Sequence, residues 1–185
     1  MTETQQFEAF MQNYQNMVFS TAMRLLAHEA DAQDVAQEVF LRAFKHFEEL
    51  RESPTAGGWL RTVATNLSLN HLSRYRSRWR FFTDLVSRTR GEDDAEFEWP
   101  AEESTAVEFG GSDRHELVEQ ALQKLPEAQR VPLVLYHLEG MRYEEIAAKL
   151  GVSLGKVKTD IFRGREALRK KLRLTLGDEE TGVRA

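Results

Sequence analysis

Apolar residues recur every three or four positions through the first third of the chain, which is the period of an amphipathic helix. The first such run extends from Phe7 to Leu26. A second begins near Asp31, whose short acidic side chain suits a helix start, and a third begins at about Trp59. The segment 54–58, which holds one proline and two glycines, separates the second run from the third. The pattern predicts a compact three-helix domain whose buried stripes include Phe10, Val18, Leu25, Val35, Val39, Ala43, Leu60, Ala64 and Leu67.

The helix period returns at Leu117 and continues to Leu125. Beyond it, the sequence predicts short helices over 127–138 and 143–150 and a longer helix from 154 to about 174. No stretch of the sequence alternates apolar and polar residues as a half-buried strand would. The fold class predicted is therefore all-α, with two small helical domains.

The segment between the two helical domains differs from both in composition. It reads GEDDAEFEWPAEESTAVEFGGSD over its acidic part, holds proline and glycine, and lacks a sustained apolar stripe. Such a composition predicts a flexible linker. We divide the chain into a first domain at 1–80, a linker at 81–113, a second domain at 114–176 and a tail at 177–185.

Size and composition narrow the class of protein. The chain has 185 residues, of which 41% are hydrophobic and 30% charged, so it can form one or two small domains but not a large multidomain enzyme. It holds no cysteine, which removes disulfides, thiolate metal sites and direct thiol sensing. The sequence has no apolar run long enough to span a membrane and no secretion signal, so we expect a cytoplasmic protein without a membrane segment.

The net charge of −5 conceals a strong segregation of charge along the chain. Residues 1–60 carry −5, residues 61–90 carry +6, residues 91–120 carry −10 and residues 121–185 carry +4. Blocks of one sign mark linkers, tails and binding faces more often than cores. The acidic block and the basic C-terminal block suggest the hypothesis that the linker docks on the basic helix and holds the protein closed.

The segment from Tyr143 onwards has the pattern of a helix-turn-helix. A short amphipathic helix ends at Gly151, which allows a left-handed turn, and Ser153 can cap the helix that follows. Residues 151–173 carry eight basic and two acidic side chains, a net +6 that can meet phosphates. A solvated helix face would also explain the charge, but the turn favours DNA binding.

Three stretches together resemble the extracytoplasmic-function (ECF) sigma factors of bacterial RNA polymerase, within the sigma-70 family. They are DAQDVAQEVFLRAF, WLRTVATN and LPEAQRVPLVLYHLEGMRYEEIAAKLGVSLGKVKTDIFRGREALRKKL. The resemblance implies that the first domain is region 2, which binds the polymerase and recognises and opens the minus-10 promoter element. It implies that the second domain is region 4, which reads the minus-35 element.

The resemblance also assigns residues to the polymerase surface. It places Asp34, Gln37, Glu38, Phe40 and Arg42 where the family meets the largest polymerase subunit. An acidic, partly aromatic helix face suits a basic partner, since complementary charge speeds association. For Phe40, the sequence leaves two alternatives open, a contact on this face or a place in the core.

For the minus-10 element, the resemblance places a flipped base between the loop that begins at Leu50 and the third helix. The corresponding residues are Leu50, Arg51, Glu52, Ser53, Trp59, Asn66, Asn70, Arg74, Arg76 and Arg78. Trp59 and Asn66 are seven residues apart and therefore on the same side of a helix. The sequence leaves open whether Trp59 lines the base site or closes the core. The family's usual aromatic residue before Trp59 is absent.

For the minus-35 element, matching the recognition helix residue by residue assigns Lys156, Lys158, Thr159, Phe162 and Arg163 to base and phosphate contacts. The chain departs from the family pattern at Lys156, at Asp160, where a basic residue is common, and at Gly164. An acidic side chain in this helix accepts from cytosine or repels phosphate. The minus-35 preference therefore cannot be transferred from a relative.

The partners expected are bacterial core RNA polymerase, promoter DNA and an anti-sigma factor that covers both domains. A stand-alone helix-turn-helix regulator is the alternative, although the first domain then has no evident role. An enzyme is disfavoured, because the five histidines are scattered and the sequence lacks HExxH, P-loop and GxSxG motifs. We expect no catalytic residues, no metal and no cofactor.

Overall fold

A computed structural model describes the backbone of residues 2–83 and 112–181, with side chains for 2–73 and 114–175. Within these ranges the chain forms eight α-helices and no strand, which confirms the all-α prediction. The helices are α1 (Glu3–Leu26), α2 (Glu29–Lys45), α3 (Phe47–Leu50), α4 (Ala56–Thr83), α5 (Ser112–Gln123), α6 (Glu127–His137), α7 (Tyr143–Leu150) and α8 (Leu154–Thr181). No helix in the described ranges is long and apolar enough to cross a membrane.

The N-terminal domain contains α1 to α4. Thr2 and Gln5 form a capping box at the start of α1, and Ala27 ends that helix in a left-handed conformation with φ of 51°. The long helices α1, α2 and α4 pack around one core. The core contains Phe10, Val18, Ala22, Leu26, Ala32, Val35, Val39, Phe40, Ala43, Phe47, Leu50, Ala56, Leu60 and Ala64.

The region between the second and third long helices differs in detail from the prediction. The short helix α3 occupies part of it, and α4 begins at Ala56, earlier than expected, so that Gly57 and Gly58 lie in its first turn. A Cβ at Gly57 would lie 3.2 Å from Cε1 of Tyr14. The glycine therefore permits α1 and α4 to approach closely at this point.

The C-terminal domain contains α5 to α8, and α8 is the central packing partner of the other three. Gly151 ends α7 with φ of 66°, and Oγ of Ser153 accepts a hydrogen bond from the backbone N–H of Lys156 at 3.2 Å. Both turn features predicted for the helix-turn-helix are confirmed. The core of this domain contains Leu122, Leu125, Val131, Leu133, Val134, Leu135, Ile146, Val157 and Ile161.

The two domains are in direct contact. Leu25 of α1 is fully buried, and it belongs to the C-terminal core rather than to the core of its own domain. Helix α1 contacts both α5 and α6. The predicted flexible linker falls almost entirely outside the described backbone, since α4 extends to Thr83 and α5 begins at Ser112. The predicted tail lies largely outside the described residues as well.

Candidate partner and nucleic-acid surfaces

The outer face of α2 carries four of the five residues assigned to the polymerase. Asp34, Gln37 and Arg42 are exposed and Glu38 is half-buried. Nε of Arg42 donates to Oε1 of Glu38 at 2.8 Å, one helical turn away. Phe40 is 8% exposed and lies in the N-terminal core, so the structure favours the second of the two alternatives for this residue.

Two apolar side chains that sequence reasoning missed lie on the same exposed face of α2. Leu41 is 63% exposed and Phe44 is 51% exposed, although both belong to residue types that are usually buried. Phe44 contacts Phe7 edge-to-face, with ring centroids 5.0 Å apart. Both residues lie outside the buried stripe of α2 that holds Val39 and Ala43. Their position outside this stripe is the feature of the sequence that could have indicated their exposure.

The first four residues assigned to the minus-10 element lie at the end of α3 and in the loop before α4. Leu50 is 7% exposed and lies in the N-terminal core. Arg51 and Glu52 are exposed, and Arg51 forms an ion pair of 3.2 Å with Glu48. Ser53 is half-buried. The loop therefore offers two exposed charged side chains to a ligand, whereas Leu50 supports the loop from beneath.

Helix α4 carries the remaining minus-10 candidates. Trp59 is half-buried, packs against the N-terminal core and lies with its ring centroid 5.9 Å from that of His46. Asn66 and Asn70 are exposed. The structure leaves both alternatives for Trp59 open, because the residue packs against the core and is only half-buried. The side chains of Arg74, Arg76 and Arg78 lie outside the described residues, although α4 itself continues past them.

Asn66 has a partner in the other domain. Its Oδ1 accepts a hydrogen bond from Nζ of Lys149, in α7, at 2.9 Å. One turn earlier on α4, Nε of Arg61 forms an ion pair of 3.0 Å with Oε2 of Glu139. Oγ1 of Thr65 donates to the same carboxylate oxygen at 3.4 Å. One face of α4 is therefore covered by the C-terminal domain.

The recognition helix α8 presents part of its candidate set to solvent. Lys156 and Arg163 are exposed, whereas Lys158, Thr159 and Phe162 are half-buried. Asp160, the departure from the family pattern, has a side chain that is 11% exposed and pairs with Nζ of Lys156 at 2.9 Å. The carboxylate therefore faces the body of the domain and neutralises Lys156.

A cluster of aromatic and basic side chains lies where α6 meets α8. Tyr136 stacks on Tyr143 with ring centroids 4.6 Å apart, and the guanidinium of Arg165 lies 5.6 Å from the Tyr136 centroid. Nε of Arg165 donates to Nε2 of His137 at 2.9 Å. Burial, and secondarily the positive charge of Arg165, lower the pKa of His137, which must be neutral to accept this hydrogen bond.

The chain matches two protein-family models. The model of Sigma-70 region 2 matches residues 10–80, and the model of Sigma-70 region 4 matches residues 115–168. The RNA polymerase sigma-H factor of Pseudomonas aeruginosa is 32% identical over 176 residues, which cover 90% of this chain and 86% of that protein. The chain belongs to the ECF group of the sigma-70 family.

The chain is also similar to other sigma factors. The ECF RNA polymerase sigma factor SigW of Bacillus subtilis is 29% identical, with 86% of this chain and 85% of SigW covered. SigE of Mycolicibacterium smegmatis is 34% identical over 90% of this chain, which spans only 61% of that relative. Among solved structures, the sigma factor RpoE of Bartonella quintana, in complex with the anti-sigma factor NepR, matches with 23% identity and a TM-score of 0.48. That match covers 90% of this sigma factor and 96% of RpoE.

The two matched regions coincide with the two cores of this sigma factor. Region 2 covers α2, α3 and most of α1 and α4, with the exposed face of Leu41 and Phe44. Region 4 covers the helix-turn-helix of α7 and α8. Within the described residues there is no group of three or more histidine, aspartate and glutamate side chains arranged to hold a metal ion.

Proposed function

We propose that this ECF sigma factor binds core RNA polymerase through the outer face of α2 and directs initiation by reading two promoter elements. The observation that carries the proposal is the pairing of two features in one chain. One domain holds an exposed apolar face on an acidic helix, and the other holds a helix-turn-helix with a basic recognition helix. A stand-alone regulator has no use for the first of these features.

The polymerase surface of the proposal consists of Asp34, Gln37, Glu38, Leu41, Arg42 and Phe44. Exposed apolar side chains rimmed by charge are typical of protein interfaces, because burying them in the complex supplies affinity while the charged rim steers association. Phe40 is left out of this surface because it lies in the core. Its role is to hold α2 against α1 and α4.

For the minus-10 element, we propose that Arg51, Glu52, Trp59, Asn66 and Asn70 surround one unstacked base, with Ser53 and the buried Leu50 shaping the loop. Flipping a base costs a few kcal/mol, and stacking returns about 1–3 kcal/mol per base. Binding can therefore drive local strand opening without ATP. Arg74, Arg76 and Arg78 continue along the chain from this site, and we assign them to the DNA backbone.

For the minus-35 element, we propose that Lys158, Thr159, Phe162 and Arg163 meet the major groove, with Lys156 at its edge. Lys156 is paired with Asp160 in the structure, so its contribution to phosphate binding is reduced.

We assign the sensing of an inducing signal to an anti-sigma factor, because a chain without cysteine has no thiol of its own to respond to oxidation. Since its proposed partners are the polymerase and promoter DNA, we place its action in the bacterial cytoplasm.

The test is run-off transcription from fragmented genomic DNA with purified core polymerase, with and without the protein. We expect a small set of discrete start sites that appear only with the protein. Asn66→Ala should reduce open-complex formation at those sites by about tenfold, and Asn13→Ala, an exposed asparagine on α1, should not. Failure to direct start sites, together with tight duplex binding by the protein alone, would favour the stand-alone regulator.

A further inference from the structure

The exposed ring of Phe44 is supported by a ring of the neighbouring helix. Phe44 is 51% exposed on α2, and its ring centroid lies 5.0 Å from that of Phe7 on α1, with the ring planes at 74°. An exposed side chain without such a contact exchanges between rotamers within nanoseconds. The negative face of one aromatic ring attracts the positive edge of another, so an edge-to-face contact favours one orientation. Phe7 therefore restricts the direction in which the Phe44 ring points.

Phe7 is in turn held by rings of the N-terminal core. Its ring centroid lies 5.1 Å from that of Phe47, at an interplanar angle of 84°, and 6.1 Å from that of Phe10. Phe47 is 2% exposed and Phe10 is 8% exposed, so both belong to the close-packed interior. Phe7 itself is half-buried. The ring of Phe7 thus connects the packed core to the proposed polymerase surface.

The backbone that carries Phe7 is held by the cap of α1. The backbone N–H of Thr2 donates to Oε1 of Gln5 at 2.9 Å, and Oγ1 of Thr2 accepts from the backbone N–H of Gln5 at 3.4 Å. The first turn of a helix frays when its N–H groups lack partners, and a capping box satisfies two backbone N–H groups. Phe7 follows this first turn directly. The position of its ring is therefore set by the start of α1 as well as by the core.

We propose that Phe7 is a positioning residue for polymerase binding. Its ring holds Phe44 next to Leu41, which lies one helical turn away on α2, so that the apolar centre of the polymerase surface is already formed in the free chain. A side chain that is ordered before binding loses less conformational entropy in the complex, and affinity rises accordingly. The inference rests on the proposed function, because it assumes that Phe44 contacts the polymerase.

A purely structural role for Phe7 predicts a different outcome. If Phe7 only fills space beside the core, its truncation lowers stability, and any loss of affinity is the same with or without the ring of Phe44. If Phe7 acts by holding Phe44, the loss of affinity disappears once that ring has been removed. A double-mutant cycle in binding separates the two roles.

The cycle compares wild type, Phe7→Leu, Phe44→Ala and the double variant. Each full-length chain carries a fluorophore on Gln120→Cys, an exposed position in the other domain of a chain that has no cysteine of its own. Titration with purified core polymerase gives the dissociation constant at a temperature where all four chains are folded. We expect Phe7→Leu to weaken binding about threefold to tenfold in the wild-type background and less than about 1.5-fold in the Phe44→Ala background.

The outcomes separate the inference from the function on which it rests. An equal loss in both backgrounds, or no loss in either, would overturn the inference while Phe44 stays on the polymerase surface. Unchanged affinity of the Phe44→Ala variant would remove Phe44 from that surface, and the inference with it. Absence of polymerase binding by wild type would overturn the proposed function as a whole.

Phe19→Leu is the matched control for Phe7→Leu. Phe19 is also a half-buried phenylalanine of α1 that packs against the N-terminal core, but it lies twelve residues from Phe7, about 18 Å along the helix. We expect the control to change affinity less than about twofold. A loss equal to that of Phe7→Leu would assign the effect to weakened packing and contradict the inference.

The orientation of the Phe44 ring in the free chain provides a readout that does not depend on the polymerase. Three-bond couplings from the backbone nitrogen and carbonyl carbon to Cγ of Phe44, measured by NMR, report its χ1 angle. We expect the couplings of a single staggered rotamer in wild type and in Phe19→Leu, and averaged couplings in Phe7→Leu. Averaged couplings in wild type, or a single rotamer in Phe7→Leu, would show that Phe7 does not hold the ring.

Discussion

Arg130 of α6 reaches into the other domain, where its Nη2 lies 3.2 Å from the backbone oxygen of Leu25 at the end of α1. Its Nη1 lies 2.8 Å from the backbone oxygen of Leu125 in its own domain. The last carbonyls of a helix have no partner within the helix, and a cation there also opposes the negative end of the helix dipole. Arg130 is 6% exposed, and its guanidinium therefore serves both the C-terminal core and the contact between domains.

Arg130→Met should lower the free energy of unfolding by about 2–4 kcal/mol, because it leaves buried carbonyls without a donor. Burial lowers the pKa of Arg130, and Glu127 acts in the opposite direction, but a guanidinium stays charged at any physiological pH. Urea denaturation measures the loss. Arg51→Met, at an exposed position, should change stability by less than about 0.5 kcal/mol, and equal losses for the two variants would contradict the assigned role.

Leu41→Ala should weaken binding to core polymerase by about tenfold and leave stability almost unchanged, since the side chain is 63% exposed. Leu174→Ala is the matched control, because Leu174 is 61% exposed on α8, away from the proposed polymerase surface. Binding is measured by titration of labelled protein with core polymerase, and stability by thermal unfolding. Equal affinity of the two variants would remove Leu41 from the surface.

Phe40→Ala should behave in the opposite way to Leu41→Ala. Phe40 lies in the N-terminal core, so truncation leaves a cavity and costs about 3–5 kcal/mol of stability. At a temperature where the variant is still folded, we expect its affinity for polymerase to stay within a factor of about three. A large loss of affinity in a fully folded variant would return Phe40 to the contact surface.

Acid should destabilise the protein through His137. Its pKa is lowered in the folded state, mainly by burial, so the unfolded chain binds the proton more tightly. The stabilisation is complete above the ordinary histidine pKa of about 6.5 and is lost as the pH falls from there towards the lower folded value. His137→Gln should flatten this dependence in urea denaturation series, whereas Gln120→Ala, a change at an exposed position without a titratable group in the same domain, should leave the dependence unchanged. Identical pH profiles for wild type and His137→Gln would contradict the assignment.

Asp160→Asn should leave the base preference at the minus-35 element unchanged. The Asp160 carboxylate faces the domain and pairs with Lys156, so it is not available to accept from a cytosine. Arg163→Ala should reduce affinity and lower the salt dependence by about one phosphate contact. Selection from randomised duplexes with the holoenzyme measures the base preference, and binding titrations at several salt concentrations measure the affinity and its salt dependence. A new preference in the Asp160→Asn variant would show that the carboxylate reads a base.

The sequence predicted the helical class and the helix-turn-helix from local features, namely the spacing of apolar residues and the chemistry of Gly151 and Ser153. It did not predict the contact between the domains. That contact depends on single side chains, such as Leu25 and Arg130, that continue the helix period of their own domains and carry no local signal of a distant partner. Ion pairs such as that of Arg61 with Glu139 join residues 78 positions apart.

On α2 the sequence predicted the helix itself but did not distinguish exposed from buried aromatic residues. Phe40 and Phe44 are one turn apart, yet the first is 8% exposed and the second 51%. The difference depends on how α2 is rotated about its own axis against α1 and α4. The spacing of apolar residues along a single helix does not determine that rotation. Asp160 posed the same difficulty on α8, where the sequence alone left its orientation open.

The most direct test of the account is a titration of the labelled full-length protein with purified bacterial core RNA polymerase, followed by fluorescence anisotropy at two salt concentrations. We predict saturable binding with a dissociation constant in the nanomolar range that is abolished or greatly weakened when Leu41 and Phe44 are both changed to serine. Absence of saturable binding by the wild-type chain, at a salt concentration where it binds duplex DNA tightly alone, would contradict the central claim.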